Sequence, residues 1–264
     1  VPALSSPRPR FTAGRAIFAL VLREMSTAYG RTPGGYLWAF LQPIGAIAIM
    51  AFVFTFLLRK PPLGTSFALF YATGVLPLMM YQDLTNKIGT ALRFSKPLLA
   101  YPTVSWMDAL LARLILNVLT QGLVFIIVLA ALVIGTGADV TLDFPKLMSG
   151  FAMLVVFSAG FGMVDCYLIG MVPLWPQIWA VLNRPLFIIS GIFFVIDYLP
   201  ETLRFYLLLN PVAHAIMELR AGFYPSYDAV YASPTYVFLV SGVLAFFGVL
   251  LLYRYHKKIL DEGA

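Results

Sequence analysis

The sequence predicts an all-α membrane protein: six transmembrane helices, an N-terminal amphipathic interface helix, and an outer re-entrant helical hairpin before the last span. Three observations carry this. The chain of 264 residues is 61% hydrophobic and only 11% charged, where a soluble domain carries roughly 25% charged residues. Uncharged stretches of bilayer length recur along it, Tyr36–Leu58 first among them, and a hydrocarbon core of about 30 Å asks for about 20 such residues. Finally, residues 197–233 (DYLPETLRFYLLLNPVAHAIMELRAGFYPSYDAVYAS) are too polar and proline-broken for one crossing, yet too apolar for a solvated loop.

The elements follow in order. Residues 1–10 read as a loose tail. No signal-peptide pattern follows, because the apolar run Ala16–Leu22 leads into Arg23 and Glu24 rather than a small-residue cleavage site. Phe11–Tyr29 reads as a helix on the membrane surface, with Phe18, Leu22 and Met25 on its apolar side and Arg15 and Arg23 toward the headgroups. Gly30, Pro33, Gly34 and Gly35 end it, so residues 1–35 form a cytoplasmic tail and interface helix. The membrane part runs over 36–255, with spans at about 36–58, 67–86, 109–134, 147–172, 178–196 and 235–255, and residues 256–264 are a second cytoplasmic tail. Tyr36 and Trp38 open the first span, where interfacial aromatics belong, and Pro43 can kink it. The second span is short, and its helical pattern continues through Asp83, Asn86 and Lys87 to Arg93 as a helix leaving the bilayer. Lys96–Trp106 reads as a loop with an apolar knuckle at Leu98, Leu99, Ala100 and Tyr101.

The third span carries Arg113, Asn117 and Gln121 at intervals of four, one polar stripe on an oily helix. The fourth repeats small residues at Ser158, Gly162, Cys166 and Gly170, a seam for close packing. The fifth is interrupted by Asn183, Arg184 and Pro185. Residues 198–227 then form two short periplasmic helices, Glu201–Leu209 and Val212–Phe223. Non-helical backbone at such a hairpin is tolerated only under protein or beside a water-filled cavity. Six spans put both ends on one side, and basic residues choose it. Thirteen Lys and Arg fall on the side of the ends and five on the other, so both termini are expected in the cytoplasm. The net charge of +6 follows this bias and outlines no nucleic-acid surface.

Catalytic constellations are missing from the sequence. His214 and His256 fall on opposite sides of the membrane, Cys166 is the single cysteine, and no HExxH, GxSxG or Cys-rich metal spacing occurs. There is no G-x-x-x-x-G-K-[ST] loop for ATP either. The expectation is a transporter subunit with no catalytic residue, metal or cofactor of its own. Polar groups inside spans are costly and face protein or water. For Arg113, Asn117 and Gln121 two readings stand: an internal hydrogen-bond cluster, or the polar wall of a conduit. Asp165 lacks the second carboxylate that a proton relay wants. His214 and Glu218, four apart, read as a local pair on one helix face. The hairpin aromatics serve an interfacial belt or a surface along which a sugar chain stacks.

Three stretches together resemble one family. LREMSTAYGRTPGGYLWAFLQP, residues 22–43, is similar to the opening motif of type-2 ABC exporter permeases for polysaccharides. LLAYPTVSWMDALLAR, residues 98–113, is similar to that family's cytoplasmic turn ending in Asp and Arg, here Asp108 and Arg113. RPLFIISGIFF and LPETLRFYLLLNPVAHAIMELRAGFYPSY, within residues 184–227, resemble its penultimate span and outer re-entrant helices, with Asn210, Pro211, His214, Glu218 and Arg220 at the motif positions. The likeness runs from Leu22 to Tyr255 and is nearest to the capsular-polysaccharide (KpsM-like) branch, with O-antigen and teichoic-acid permeases next. The chain departs in one place: Ala28 stands before Tyr29-Gly30 where the family carries a basic residue, and the charge falls at Arg31.

The resemblance implies a homodimer joined by two copies of a separate ATPase, which holds ATP and Mg. Together they would export a lipid-linked anionic glycan across a Gram-negative inner membrane, toward periplasmic and outer-membrane export proteins. On that reading Arg23, Arg31, Lys87, Arg93 and Arg113 are candidates to meet the lipid phosphate, with Asn117 and Gln121 along the canal. Leu98, Leu99, Tyr101, Trp106 and Asp108 would couple to the ATPase. Asn210, Pro211, His214, Glu218, Arg220 and Tyr224 would form the outer hairpin. A membrane-embedded transferase acting on lipid-linked sugars is the alternative from another class. An ion-coupled carrier is a third, although the inverted repeat and paired membrane carboxylates of that class are not found.

Overall fold

Apolar runs become helices here, and polar caps mark where they start. The computed structural model describes residues 12–28, 35–57, 60–99, 104–138 and 140–262. Every regular element among them is helical. Helices α1 (Thr12–Ala28) and α2 (Gly35–Leu57) are followed by α3 (Phe67–Gly89), which Ser66 caps by accepting from the Leu69 N–H. Helix α4 (Ala91–Leu99) comes next. Helix α5 (Trp106–Thr136) opens in a capping box, in which the Ser105 hydroxyl accepts from the Asp108 N–H and the Asp108 carboxylate accepts from the Ser105 N–H. Left-handed Gly137 ends it. Then come α6 (Phe144–Met171), capped by Asp143, α7 (Trp175–Ile189) and the short α8 (Glu201–Leu207). Helix α9 (Pro211–Phe223) starts on the Asn210 cap with Pro211 in its first turn, and α10 (Pro234–Glu262) closes the chain.

Four helices among the described residues are long and apolar enough to cross a membrane: Leu37–Leu57, Trp106–Thr136, Phe144–Met171 and Pro234–Asp261. The two other expected spans differ from these. Helix α3 has 23 residues, but its last turns carry Gln82, Asp83, Asn86 and Lys87, and protein covers it along most of its length. Helix α7 has 15 residues, or about 22 Å at 1.5 Å per residue, short of a hydrocarbon core. It buries none of its side chains.

The bundle is organised on α3 and α6. Helix α3 packs against α2, α5, α6 and α9, and α6 runs along α10 as the most extensive helix pair. Their backbones approach closely at two glycines. A Cβ on Gly160 would stand 2.6 Å from the Ser241 carbonyl oxygen, and one on Gly248 would stand 2.7 Å from the Met163 Cβ. The expected small-residue seam of α6 is divided between two partners, because Gly162 meets Ile88 of α3 while Gly170 meets Ile259 of α10. Replacing Gly248 by leucine is expected to force α6 and α10 apart and cost roughly 1–3 kcal/mol as overpacking. A melting temperature within error of wild type for the purified variant in detergent would contradict that contact.

Three boundaries depart from the sequence reading. The helix expected to run unbroken to Arg93 stops at Gly89, and α4 starts again at Ala91. A side chain at position 89 would collide with Asp165 of α6, so the break serves a close approach between helices. The apolar pattern continues straight through it and hides it. Leu98 and Leu99, expected in a loop, are the last residues of α4. In the fifth segment the helix passes through Asn183, Arg184 and Pro185 and breaks instead at Ser190 and Gly191, where φ is +75°.

Candidate functional site

A cavity of about 160 Å³ opens between α2, α3 and α5, far above the roughly 10–15 Å³ that admits one water. Its polar side comes from Gln42 of α2, Gln82, Asp83 and Asn86 of α3, and Gln121 of α5. Its apolar side includes Pro43, Leu76, Met79, Val124 and Phe125. Helical geometry produces the cluster, since positions 82, 83 and 86 share one side of α3. The Gln121 amide donates to the Asp83 carboxylate. The side-chain amides of Gln42, Gln82 and Asn86 make no hydrogen bond among the described residues. Sequence reasoning singled out only Gln121 as a site residue. The other four were legible as polar residues on apolar helices, but nothing local says that they meet.

The rest of the α5 stripe is structural. Arg113 is buried, and its Nε donates to Glu24 Oε1 of α1 at 2.6 Å. Its Nη1 donates to the Lys87 carbonyl at 2.8 Å and to the Thr90 hydroxyl at 3.1 Å, both at the α3–α4 break. Its guanidinium lies 4.2 Å from the centre of the Phe94 ring. One side chain thus ties α1, α3, α4 and α5 together. Asn117 is buried and donates to the Arg113 carbonyl at 2.7 Å. Arg113 and Asn117 thus belong to an internal hydrogen-bond cluster, and of the stripe Gln121 reaches the cavity. Glu24 was not singled out, because no periodicity links it to a residue so distant in sequence.

The remaining basic candidates are scattered. Arg23 lies on the exposed part of α1, and Lys87 is half-buried on α3. Arg93 donates to the Ile169 carbonyl at 2.7 Å, a cation at the C-terminal end of α6. Arg31 and Tyr101 lie outside the described residues. Among the expected coupling residues, Leu98 and Leu99 end α4, Trp106 stacks on His256 with ring centres 5.8 Å apart, and Asp108 is committed to the α5 cap.

At the opposite end of the bundle, the residues expected in the outer hairpin bond to the backbone and side chains around them. Asn210 accepts from the Val212 N–H and donates to the Ser190 hydroxyl, each at 3.0 Å. Arg220 is 2% exposed. Its Nη1 donates to the Gly191 and Phe194 carbonyls at 2.6 and 3.0 Å, and its Nη2 donates to the Ile192 carbonyl at 2.9 Å. Those carbonyls belong to the turn that ends α7, so Arg220 satisfies backbone that helix geometry leaves open. The Phe70 ring lies 4.2 Å beneath it. Tyr224 is buried at the C-terminal cap of α9, beside Gly64.

The expected pair of His214 and Glu218 is not formed. His214 Nδ1 accepts from the Ser233 N–H at 3.1 Å, so Nε2 carries the proton and donates to the Leu208 carbonyl at 2.7 Å. Glu218 is half-buried and lies instead within the electrostatic reach of Lys146 and Asp143; burial raises its pKa and Lys146 opposes the rise. Burial lowers the His214 pKa, partly offset by its backbone partners. A histidine depressed below its unfolded value of about 6.5 stabilises the fold fully above that pH and loses the contribution as pH falls through the lower folded value. Melting temperature should therefore drop as pH falls below about 6.5, and more steeply in wild type than in His214→Gln. Identical pH slopes would rule out this titration.

The helix order, the junction at Arg113 and the helix pair α8 and α9 can be set against known proteins. The ABC-2 type transporter family matches residues 15–224. The chain is 27% identical over 245 residues to the capsule polysaccharide export inner-membrane protein CtrC of Neisseria meningitidis serogroup A, covering 93% of this chain and 92% of that protein. It is 28% identical over 243 residues to the polysialic acid transport protein KpsM of Escherichia coli, at 92% and 93% coverage. It is 25% identical over 246 residues to the capsule polysaccharide export inner-membrane protein BexB of Haemophilus influenzae, covering 93% of each. A match that takes in the Arg113 junction, the cavity and helices α8 and α9 makes this chain a member of the ABC-2 type transporter family.

Proposed function

We propose that the chain is the transmembrane permease subunit of an ATP-driven exporter that moves a lipid-linked anionic capsular polysaccharide across the bacterial inner membrane. The observation that carries this is its nearly full-length similarity to capsule polysaccharide export inner-membrane proteins. In this reading α2, α3, α5, α6, α7 with its following turn, and α10 make six spans, both termini are cytoplasmic, and α8 and α9 form the re-entrant outer hairpin. Helix α1 lies at the cytoplasmic interface, supported by the exposure of Phe18, Leu22 and Met25. Two copies form the pore, with α2 and α7 at the seam; their largely exposed apolar faces support this. Two ATPase subunits hold ATP and Mg. Periplasmic and outer-membrane export proteins receive the glycan.

The end of α4, with Leu98 and Leu99, docks on the ATPase together with Tyr101, which follows it in sequence. Because Arg113 of α5 bonds to Glu24 of α1 and lies over the Phe94 ring of α4, a push there reaches the bundle. Copurification with a P-loop ATPase and stimulation of its turnover by the permease test the reading. The variant Leu98→Ser/Tyr101→Ser is expected to lose that stimulation while retaining its melting temperature. Full stimulation by this variant would remove α4 from the coupling role.

A further inference from the structure

Polar side chains in this bundle divide into two kinds. Arg113, Asn117 and Arg220 are consumed by protein partners. Gln42, Gln82 and Asn86 have side-chain amides with no partner among the described residues, and all three line the same cavity. They come from two helices whose remaining surface is largely apolar, and a polar side chain in such a helix is costly unless something meets it. Asp83 uses one carboxylate oxygen on Gln121 and makes no second hydrogen bond among the described residues. The arrangement therefore offers three free amides, each able to donate and accept, and one free carboxylate oxygen, which in the ionised group can only accept.

The chemistry of a fitting ligand follows. Among the described residues no lysine or arginine lines the cavity. A phosphate or sugar carboxylate placed there would meet Asp83 with no compensating cation, in surroundings where like charges repel more strongly than in water. Hydroxyl groups suit every polar group present, since they donate to Asp83 and exchange hydrogen bonds with the amides. The opposite wall, with Phe125, Val124 and Leu76, matches the C–H face of a sugar ring.

We propose that the cavity between α2, α3 and α5 binds an uncharged, hydroxyl-bearing sugar unit, with Gln42, Gln82, Asp83 and Asn86 as its polar contacts and Gln121 as the residue that positions Asp83. Resting on the exporter reading, this makes the cavity a neutral reading point along an otherwise anionic glycan: hydroxyl faces enter, and charged groups stay outside. A phospholipid headgroup brings a phosphate and is disfavoured by the same carboxylate.

The test uses the full-length chain in nanodiscs without any ATPase, and saturation-transfer NMR with two probes of equal length, maltotetraose and tetragalacturonate. Wild type is expected to transfer saturation to maltotetraose about fivefold or more above tetragalacturonate. Gln82→Leu/Asn86→Leu should lower the maltotetraose signal by a similar factor. Asp83→Asn, nearly isosteric, should raise the tetragalacturonate signal toward the neutral one, which a purely structural Asp83 would not do. Equal or preferred binding of tetragalacturonate by wild type, or an undiminished maltotetraose signal in the double variant, overturns the proposal. Export by the chain with its ATPase is scored separately in cells. Sugar binding without export would sink the exporter reading and leave this site, whereas export without binding would sink the site and leave that reading.

Discussion

Arg220→Ala should cost several kcal/mol and strip the hairpin end of its fold. The substitution removes the donors to the Gly191, Ile192 and Phe194 carbonyls and the cation resting on Phe70. Each buried carbonyl left unsatisfied costs about 1–3 kcal/mol, and the emptied volume adds a cavity penalty. Relief from burying a charge offsets part of this. Among the described residues Arg220 forms no ion pair, and burial draws its pKa down to about 10, which leaves it charged at neutral pH. The net loss is large against a typical total of about 5–15 kcal/mol. Arg220→Lys keeps the charge, but a point-like ammonium does not reproduce a planar fork spread over three carbonyls. It should fall between alanine and wild type. Thermal unfolding of the purified variants is the measurement, and an Arg220→Ala melting temperature equal to wild type would refute the account.

Arg113→Met should be almost as damaging, by about 3–5 kcal/mol, because it removes one member of a buried ion pair. The partner is Glu24, with both side chains nearly solvent-free. Glu24→Gln should cost less, since Arg113 retains the Lys87 carbonyl and the Thr90 hydroxyl. The informative variant is the double replacement Glu24→Leu/Arg113→Met. Removing both members of a buried pair is far milder than removing one, so the double variant should be more stable than Arg113→Met alone. A double-mutant cycle by thermal melting reads this directly. Additive losses would mean that the pair contributes no coupling and that α1 is held to α5 by apolar contact alone. If the coupling is present, ATPase stimulation should fall in Arg113→Met at temperatures where the variant is still folded, because α4 would no longer move with α1 and α5.

Much of this protein was legible before any coordinate. Helices α2, α5, α6 and α10 lie within a few residues of the long apolar runs, and the two short hairpin helices lie on either side of Asn210-Pro211. The caps at Ser105 with Asp108 and at Asn210 with Pro211 are local patterns that the sequence reading passed over. The break at Gly89 was not legible, because its cause is Asp165 on another helix. Nor was the end of α7, which Arg220 holds open from about 30 residues away. The reading of His214 with Glu218 failed for the same reason: spacing places both on one side of α9, but Leu208 and Ser233 claim the imidazole.

Hydropathy is a sum over neighbours in the chain, so the amino-acid sequence alone determined that this is a helical membrane protein, where its long apolar helices run, and which family it joins. Hydrogen-bond partners are chosen in space. Glu24 and Arg113 are separated by 89 positions, and Asp83 and Gln121 by 38. Only the packing of α1, α2, α3 and α5 decided that the first pair is spent on holding the bundle while the second stands at the edge of a cavity.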